Sequence, residues 1–325
     1  VKYAKSRALF LLGAIKVKLV IRTFVKNIFM FLSIVVPTYN RANLIENTLK
    51  SILNQECEDF EVIVIDDGST DNTEEVIRPY LSEKVHYHKI ENSERGAARN
   101  RGTELANGEY VNWFDSDDEM LPNHVAALKE LVDQNNKPEV VATSFMIKSE
   151  NNILKATKNK FSKLQKKRKN FLIEGNYFSC NSVSVRKDVA LLNPFVEDRK
   201  LSVSEDYELW LRLSAQFPFH TSSVITSYLI QHGQRSVNTM LNAQKLETRF
   251  TTFIQLVSDN KQIKEYFGKD FNYLIMKNYL LLALELANCG HKKKSVKYLK
   301  QAWKYSKYLV VKKWFYATLK HLMIK

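Results

Sequence analysis

Residues 31–71 read FLSIVVPTYNRANLIENTLKSILNQECEDFEVIVIDDGSTD, and the way this stretch alternates decides the fold. Residues 31–36 form an apolar, β-branched-rich run that ends in Pro37-Thr38-Tyr39-Asn40. Between residues 41 and 54 the apolar side chains then fall at Leu44, Ile45, Leu49, Ile52 and Leu53, the spacing of an amphipathic helix. The same unit repeats with a strand over 61–65 and a helix near 73–81. A third strand over 85–90 precedes a helix over about 94–106, and a fourth over 110–114 ends in a cluster of acids. Strands this apolar, alternating with helices, predict a parallel sheet covered on both faces. The first half is expected to be doubly wound α/β.

Outward from this unit, a strand is expected over 139–147. Residues 155–170 then hold eight Lys or Arg and no acid, which reads as a solvated, mobile loop, with an anion-binding role as the alternative. A strand-like stretch over 178–185, a helix over 205–215 and a last strand over 224–230 follow. The remainder is expected to be helical, over 243–257, 271–287, 294–306 and 309–322. Val311, Phe315, Leu319 and Leu322 lie on one face of the last helix. The organisation read from this is a basic, apolar segment over 1–29, an α/β domain over 30–238 and a helical extension over 239–325.

A chain of 325 residues with 45% apolar and 11% aromatic content is too long and too apolar for a disordered, collagen-like or disulfide-stapled class. Cys57, Cys180 and Cys289 are far apart, as expected of reduced thiols in a cytoplasmic compartment. The net charge of +14 is uneven: residues 1–30 carry seven Lys or Arg and residues 286–325 eleven Lys, neither with an acid. Those 18 cations leave the body at −4, which argues against a nucleic-acid groove and for contact with anionic lipid. No apolar run reaches the ~18–20 residues that span a bilayer, so the chain is expected to lie on a membrane rather than cross it. Residues 1–29 read either as part of that contact or as an over-extended translation start ahead of Met30. The C-terminal lysines interleave with Trp303, Tyr305, Tyr308, Trp314, Phe315 and Tyr316. They read as interfacial helices, or as a helical subdomain packed on the body.

In open α/β sheets ligands bind outside the carboxyl ends of the strands, and three polar clusters fall there. Asp115-Ser116-Asp117-Asp118 would repel itself unless a hard divalent cation neutralised it, although a solvated, capping turn has the same composition. Asp66-Asp67-Gly68-Ser69-Thr70-Asp71 offers carboxylates to a base N–H or to ribose hydroxyls, or is a plain turn. Residues 94–102 place small residues on one helical face and arginines on another, without the spacing of a dinucleotide fingerprint. Arg99 is there available to a carboxylate or a phosphate. Glu205 and Asp206 open a helix, where acids are favoured anyway, but an Asp near a substrate hydroxyl also serves as a general base. His232 and Arg235 follow the last strand, where a lone His is more often structural but is also a common metal ligand and Arg235 offers a forked donor to phosphate oxygens.

Five motifs in order, Val-Val-Pro-Thr-Tyr-Asn, Val-Ile-Asp-Asp-Gly-Ser-Thr-Asp, Gly-Ala-Ala-Arg-Asn-Arg-Gly, Asp-Ser-Asp-Asp and Ser-Glu-Asp, resemble glycosyltransferase family 2 over about residues 32–238. The type it resembles is the inverting, non-processive bacterial one, and the fold this implies is GT-A (Rossmann-like). The resemblance implies that Pro37, Tyr39 and Asp67, with Asn40 beside them, hold the nucleotide. It implies Asp115 at the ribose or metal, Asp117 on Mn2+ or Mg2+, and Asp206 as catalytic base with Glu205 its neighbour. Inverting transfer needs one base and a Lewis acid for the departing diphosphate. The processive synthases' Gln-x-x-Arg-Trp motif is missing, so one sugar is expected per turnover. The implied donor is a UDP-sugar and the acceptor a hydroxyl of a surface glycan or lipid-linked glycan. The implied activity is hexosyl or N-acetylhexosaminyl transfer at the inner face of the cell membrane. The rival readings are a nucleotidyltransferase, which would want a Gly-rich phosphate loop and a lysine near the first strand, and a catalytically silent scaffold, against which the acids at 115, 117 and 206 speak.

Overall fold

The computed structural model describes residues 30–149, 154–156, 171–233, 242–307, 310 and 312–323. The expectations for residues 1–29, for the basic stretch beyond 156 and for Arg235 lie outside the described residues. Strands β1 (Leu32–Thr38), β2 (Phe60–Asp66), β3 (Val85–Lys89) and β4 (Tyr110–Trp113) alternate with helices α1 (Ile45–Leu53), α2 (Thr73–Ile77) and α3 (Glu94–Leu105). They pair in parallel in the order β3-β2-β1-β4. Every residue of β1 and β2 is buried, because helices cover both faces. Ile34 and Val36 enter a core with Ile45, Leu49 and Leu128, whereas Val35 joins Ile63, Ile65, Trp113 and Trp210 on the opposite side, the two-residue alternation of a strand. The register sets Thr38 opposite Asp66, so β1 and β2 end together and deliver their loops to the same edge.

The chain continues through β5 (Glu119–Met120), α4 (His124–Gln134), β6 (Val140–Ser149), β7 (Leu154–Ala156), β8 (Val183–Arg186), α5 (Lys187–Leu192), α6 (Glu205–Ser214) and β9 (Phe219–Gln231). The full sheet runs β3-β2-β1-β4-β8-β6-β9-β5, with β7 on β6. Past β4, among the described residues, most pairings are antiparallel, and only β6 and β9 run parallel. The mainly parallel sheet expected therefore holds for the first four strands, and the sheet as a whole is mixed. Residues 178–182 are not strand as expected. A 3-10 turn at Cys180–Ser182 precedes β8, because the Asn181 side chain is committed to the acidic loop after β4.

Among the described residues five further helices follow: α7 (Ala243–Asp259), α8 (Lys261–Phe267), α9 (Phe271–Asn288), α10 (Lys292–Tyr305) and α11 (Lys313–Met323). The extension packs on the body, with Phe253 of α7 stacked on Tyr207 of α6 at 5.1 Å between ring centres. Leu282, Ala283 and Leu286 of α9 meet Leu246 and Tyr298, and Trp314 and Phe315 of α11 pack beside Met276, Leu280 and Ala302. Trp303 and Tyr316 stay exposed, at 46% and 60%. Among the described residues no helix is long and apolar enough to cross a membrane.

Candidate functional site

Where β1, β2 and β4 end, a cleft of about 370 Å³ opens, lined among others by Pro37, Tyr39, Arg41, Asp67, Arg99, Asp115 and Asp117. Its first two loops are stitched together by Asn40, whose Oδ1 accepts from the Thr70 N–H at 2.8 Å while its own N–H donates to Ser69 Oγ at 2.9 Å. The Asn40 side chain thus positions the loops, in a left-handed conformation (φ 50°) that Asn tolerates. Asp66 is buried and accepts from the Ser69 N–H and the Tyr87 hydroxyl, each at 2.7 Å. Gly68 turns with φ 79°, and a Cβ there would stand 3.0 Å from the Asn92 nitrogen.

Asp67 accepts the Ser93 N–H at 2.7 Å and the Glu94 N–H at 2.9 Å, two donors at the start of α3 that have no partner within the helix. Burial pushes its carboxyl above the ordinary range despite these bonds. A carboxylate has about four lone-pair sites, so Asp67 keeps acceptor capacity toward the cleft, beside the 46% exposed ring of Tyr39.

Arg99 is 2% exposed and joins two acidic loops. Its Nη1 donates to Glu205 Oε1 at 2.8 Å, its Nη2 donates to Asp115 Oδ1 at 2.9 Å, and its guanidinium lies 5.2 Å from the centre of the Phe195 ring. The small residues of α3 make this possible. A Cβ on Gly102 would collide with the Val35 side chain, and one on Gly96 would stand 2.7 Å from the Val196 carbonyl oxygen. Burial pushes the Glu205 carboxyl up, but the Arg95 and Arg99 guanidiniums outweigh it and hold Glu205 below the ordinary carboxylate range. Glu205 is therefore a fixed anion.

Asp206, the next residue, behaves oppositely: burial and then the Glu205 charge push its carboxyl up to about 7. Its Oδ2 accepts from Asn176 Nδ2 at 2.8 Å. Two adjacent acids are thus driven apart, the contrast on which acid-base sites are built. Glu94 and Val203, which start α3 and precede α6, both have φ 75°, a backbone strain that clusters at functional sites.

Of the acids after β4, Asp115, Asp117 and Asp118 bring carboxylate oxygens within 4.8 Å of one another, yet they differ in employment. Asp118 is buried, accepting from Asn181 Nδ2 at 2.6 Å and from the Ile230 N–H at 2.8 Å. Asp115 is half-buried, with its N–H bonded to Asn181 Oδ1 at 3.1 Å. Asp117 Oδ2 stands 3.0 Å from His232 Nε2 and 3.5 Å from Arg41 Nη2. Ligands on adjacent corners of an octahedron with bonds of ~2.1 Å are about 3.0 Å apart, so the spacing of Asp117 and His232 fits a divalent cation. Asp118 is the most enclosed of the three acids, 2% exposed.

Arg41, Arg95, Asn176 and Asn181 complete the site and were not singled out by the sequence reading. Arg41 had a signal, a cation just ahead of a helix start where acids are favoured. The two asparagines had none.

Residues 33–190 match the family described as Glycosyl transferase family 2. The chain is 28% identical over 208 residues to the GalNAc(5)-diNAcBac-PP-undecaprenol beta-1,3-glucosyltransferase of Campylobacter jejuni, covering 61% of this chain and 64% of that one. It is also 28% identical over 241 residues to an uncharacterized glycosyltransferase of Rickettsia conorii, covering 71% of this chain but only 39% of that relative's length. Among solved structures, S. aureus TarS 1-349 in complex with UDP-GlcNAc superposes with a TM-score of 0.62 at 18% identity, covering 90% of this chain and 88% of that one. The mannosyltransferase PcManGT from Pyrobaculum calidifontis, in complex with GDP-Man and Mn2+, gives 0.50 at 17% identity, covering 90% and 86%. These structural likenesses are of fold. Residues 33–190, just under half of the chain, are thus a glycosyl transferase family 2 region carried on a sheet of the GT-A fold.

Proposed function

We propose that this chain is an inverting glycosyltransferase that moves one sugar from a nucleotide-sugar, a UDP-sugar in the first instance, to an acceptor hydroxyl. The observation that carries the reading is the 3.0 Å pairing of Asp117 with His232, together with a separate carboxyl at Asp206 that is pushed up to about 7. Pro37 and Tyr39 pack on the nucleotide base and Asp67 accepts from it. Asp115 holds the ribose or shares the metal, and Arg235 reaches the diphosphate. A divalent cation, Mn2+ or Mg2+, held by Asp117 and His232 with Asp115 beside them would neutralise charge on the leaving diphosphate.

Asp206 accepts the proton of the acceptor hydroxyl as that oxygen bonds to the anomeric carbon from the face opposite the departing diphosphate, so the configuration inverts. Arg99 keeps the Glu205 anion in place beside it, and that charge raises the basicity of Asp206 toward neutral pH. Asn176 orients the carboxylate through its 2.8 Å bond.

Relatives support the substrate classes: TarS is in complex with UDP-GlcNAc, and the C. jejuni enzyme is named for an undecaprenol-linked acceptor. An acceptor on a lipid carrier suits a location at the inner face of the membrane. On α10 the exposed Lys293, Lys297, Lys300 and Lys304 recur at helical spacing and present one basic face to anionic lipid. The domain boundaries at about residues 30 and 238 belong to the same proposal. The test is release of nucleoside diphosphate from a panel of UDP-, GDP- and dTDP-sugars supplied with lipid-linked acceptors: release that needs a divalent cation and stops in EDTA is expected. No release from any donor would refute the reading.

A further inference from the structure

Where the start of α6 meets α7 and α9 lies a cavity of about 200 Å³, walled by Ser204, Tyr207, Phe250, Phe253, Lys277 and Asn278. Asn176 lines it too, and its Nδ2 donates to Asp206 Oδ2 at 2.8 Å. The N–H of Tyr207 donates to Asp206 Oδ1 at 2.6 Å. On the other flank Glu205 is bound by Arg99, which lines the donor cleft, and the Arg99 charge bears on Asp206 as well. The proposed base is thus tied to both spaces. Apart from Asn176, the residues named lie beyond residue 190, outside the family match.

Lys277 is 2% exposed, and buried charges are ordinarily paired. An ammonium has three donors. Lys277 gives one to the Ile173 carbonyl at 3.3 Å, with the Trp314 ring centre 5.1 Å away. Glu174 is within electrostatic reach but not in ion-pair contact, its Oε2 accepting the Tyr273 hydroxyl at 3.1 Å, and Lys312 opposes its effect. Burial pulls the Lys277 pKa down to about 8, so the ammonium is charged at pH 7 with donors to spare. Gly175, at φ 134°, leaves it uncovered, since a Cβ there would stand 3.4 Å from Nζ. Ser204 is the N-cap of α6, where a serine normally accepts a helix N–H, yet its side chain makes no such bond. Phe250 and Phe253 are three residues apart on one face of α7, and Phe253 stacks on Tyr207. Aromatic walls with a few placed polar groups are the make-up of a small-molecule site.

We infer that this cavity takes the accepting sugar and that this sugar carries a carboxylate, as a uronate does. The inference rests on the glycosyltransferase reading above and adds the chemistry of the sugar that receives the transfer. The apolar face of the ring lies against Phe250, the carboxylate meets the Lys277 ammonium, and hydroxyls bond Ser204 and Asn278, with one reaching Asp206 beside Asn176. The cavity is smaller than the ~300–1,000 Å³ of drug-sized ligand pockets, so it takes one sugar ring. A single ammonium matches the single charge of a carboxylate. Phosphate sites gather forked guanidiniums or helix N-terminal N–H groups, and among the described residues no arginine lines this cavity.

The full chain is first titrated with UDP and GDP plus Mg2+, and the nucleotide that binds is kept saturating so that the donor site is filled. Saturation-transfer NMR at pH 7 then compares methyl β-glucuronide and methyl α-galacturonide with the neutral methyl β-glucoside and methyl α-galactoside, and with methyl β-glucoside 6-phosphate. At least one uronate should bind about tenfold or more tighter than its neutral counterpart, as for a charged hydrogen bond. Lys277→Met keeps an unbranched chain of similar length and should bind the two alike. Ser204→Ala removes a side chain that makes no capping bond, so it should fold and weaken uronate and neutral glycoside together. Both variants should keep the wild-type nucleotide affinity, which reports their folding, and the wild-type comparison needs no variant. The inference falls, and the glycosyltransferase reading stands, if nucleotide binds but no uronate does, or if the neutral or phosphorylated glycoside binds as tightly. It falls equally if Lys277→Met, with nucleotide affinity intact, keeps the preference. If no nucleotide binds, both fall.

Discussion

Replacing Arg99 with Met removes the cation that joins the loops after β4 and before α6 while leaving an unbranched apolar side chain to fill the space. Glu205 is 4% exposed and Arg99 2%, so the change strands a buried carboxylate. Breaking a buried pair from one side costs about 3–5 kcal/mol. With unfolding entropy near ~2.1 cal/mol/K per residue, a chain of 325 residues should lose about 4–7 °C in Tm. The sign of the pH dependence follows from Glu205. Its carboxyl is held below the ordinary range in the folded protein, so the pair stabilises above the unfolded pKa of ~4.3 and that contribution is lost as pH falls through the folded value. The deficit of Arg99→Met should accordingly be full at pH 7 and shrink at pH 4. Adding Glu205→Gln should restore part of it at pH 7, because the stranded charge is gone. Thermal denaturation of the wild type, the single and the double variant at both pH values is the assay. A deficit under about 1 °C at pH 7, or one as large at pH 4 as at pH 7, would refute the account of this ion pair.

Asp206→Asn keeps the size of the side chain but cannot take a proton, so kcat should drop by roughly 10²–10⁴ with donor affinity retained. Because the Asp206 carboxyl is pushed up to about 7, wild-type kcat/KM should rise with pH through neutrality, and the variant should lose that limb. A pH-rate profile over both enzymes checks this. Neutralising the exposed Lys293, Lys300 and Lys304 with Gln should weaken flotation with phosphatidylglycerol vesicles about 100-fold, at ~1 kcal/mol per lysine, and leave donor binding alone. These substitutions are preferred to truncating the C-terminus, which would strip α10 and α11 from Met276, Leu280 and Leu286.

Much of this arrangement was legible because apolar periodicity reports burial directly. β1 to β4 and their helices follow from it, and so does the convergence of Pro37, Asp67 and Asp117 on one edge, since parallel strands in register end together. The small face of α3 was legible as a packing surface, and Gly102 against Val35 shows why. α4 was not anticipated, because it opens on Asn123 and His124, polar residues that read as loop. His124 is nonetheless fully buried, its Nδ1 2.9 Å from Thr226 Oγ1. What no spacing reveals is how equivalent acids are employed. Asp117 and Asp118 are adjacent and identical in kind, and only the tertiary placement of Asn181 and Ile230 turns Asp118 inward. Glu205 and Asp206 look alike in the same helical turn, yet Arg99, 106 residues away in the chain, fixes one as an anion and leaves the other poised near neutrality. Asn40, grouped with the nucleotide contacts, spends its side chain tying two loops together.

The central claim is that this cleft binds a nucleotide-sugar through a cation held at Asp117. It is tested most directly by titrating UDP- and GDP-sugars into the wild type, Asp117→Asn and Asp206→Asn, each with Mn2+ and with EDTA. A ligand at 100 times its Kd stabilises the native state by about 2.7 kcal/mol, which for a chain of 325 residues reads as a Tm rise of roughly 4 °C. The account predicts that at least one nucleotide-sugar gives this rise with Mn2+ in the wild type and in Asp206→Asn, and that the rise is lost in EDTA and in Asp117→Asn. Equal binding by Asp117→Asn with and without Mn2+, or no rise with any nucleotide-sugar, would contradict it.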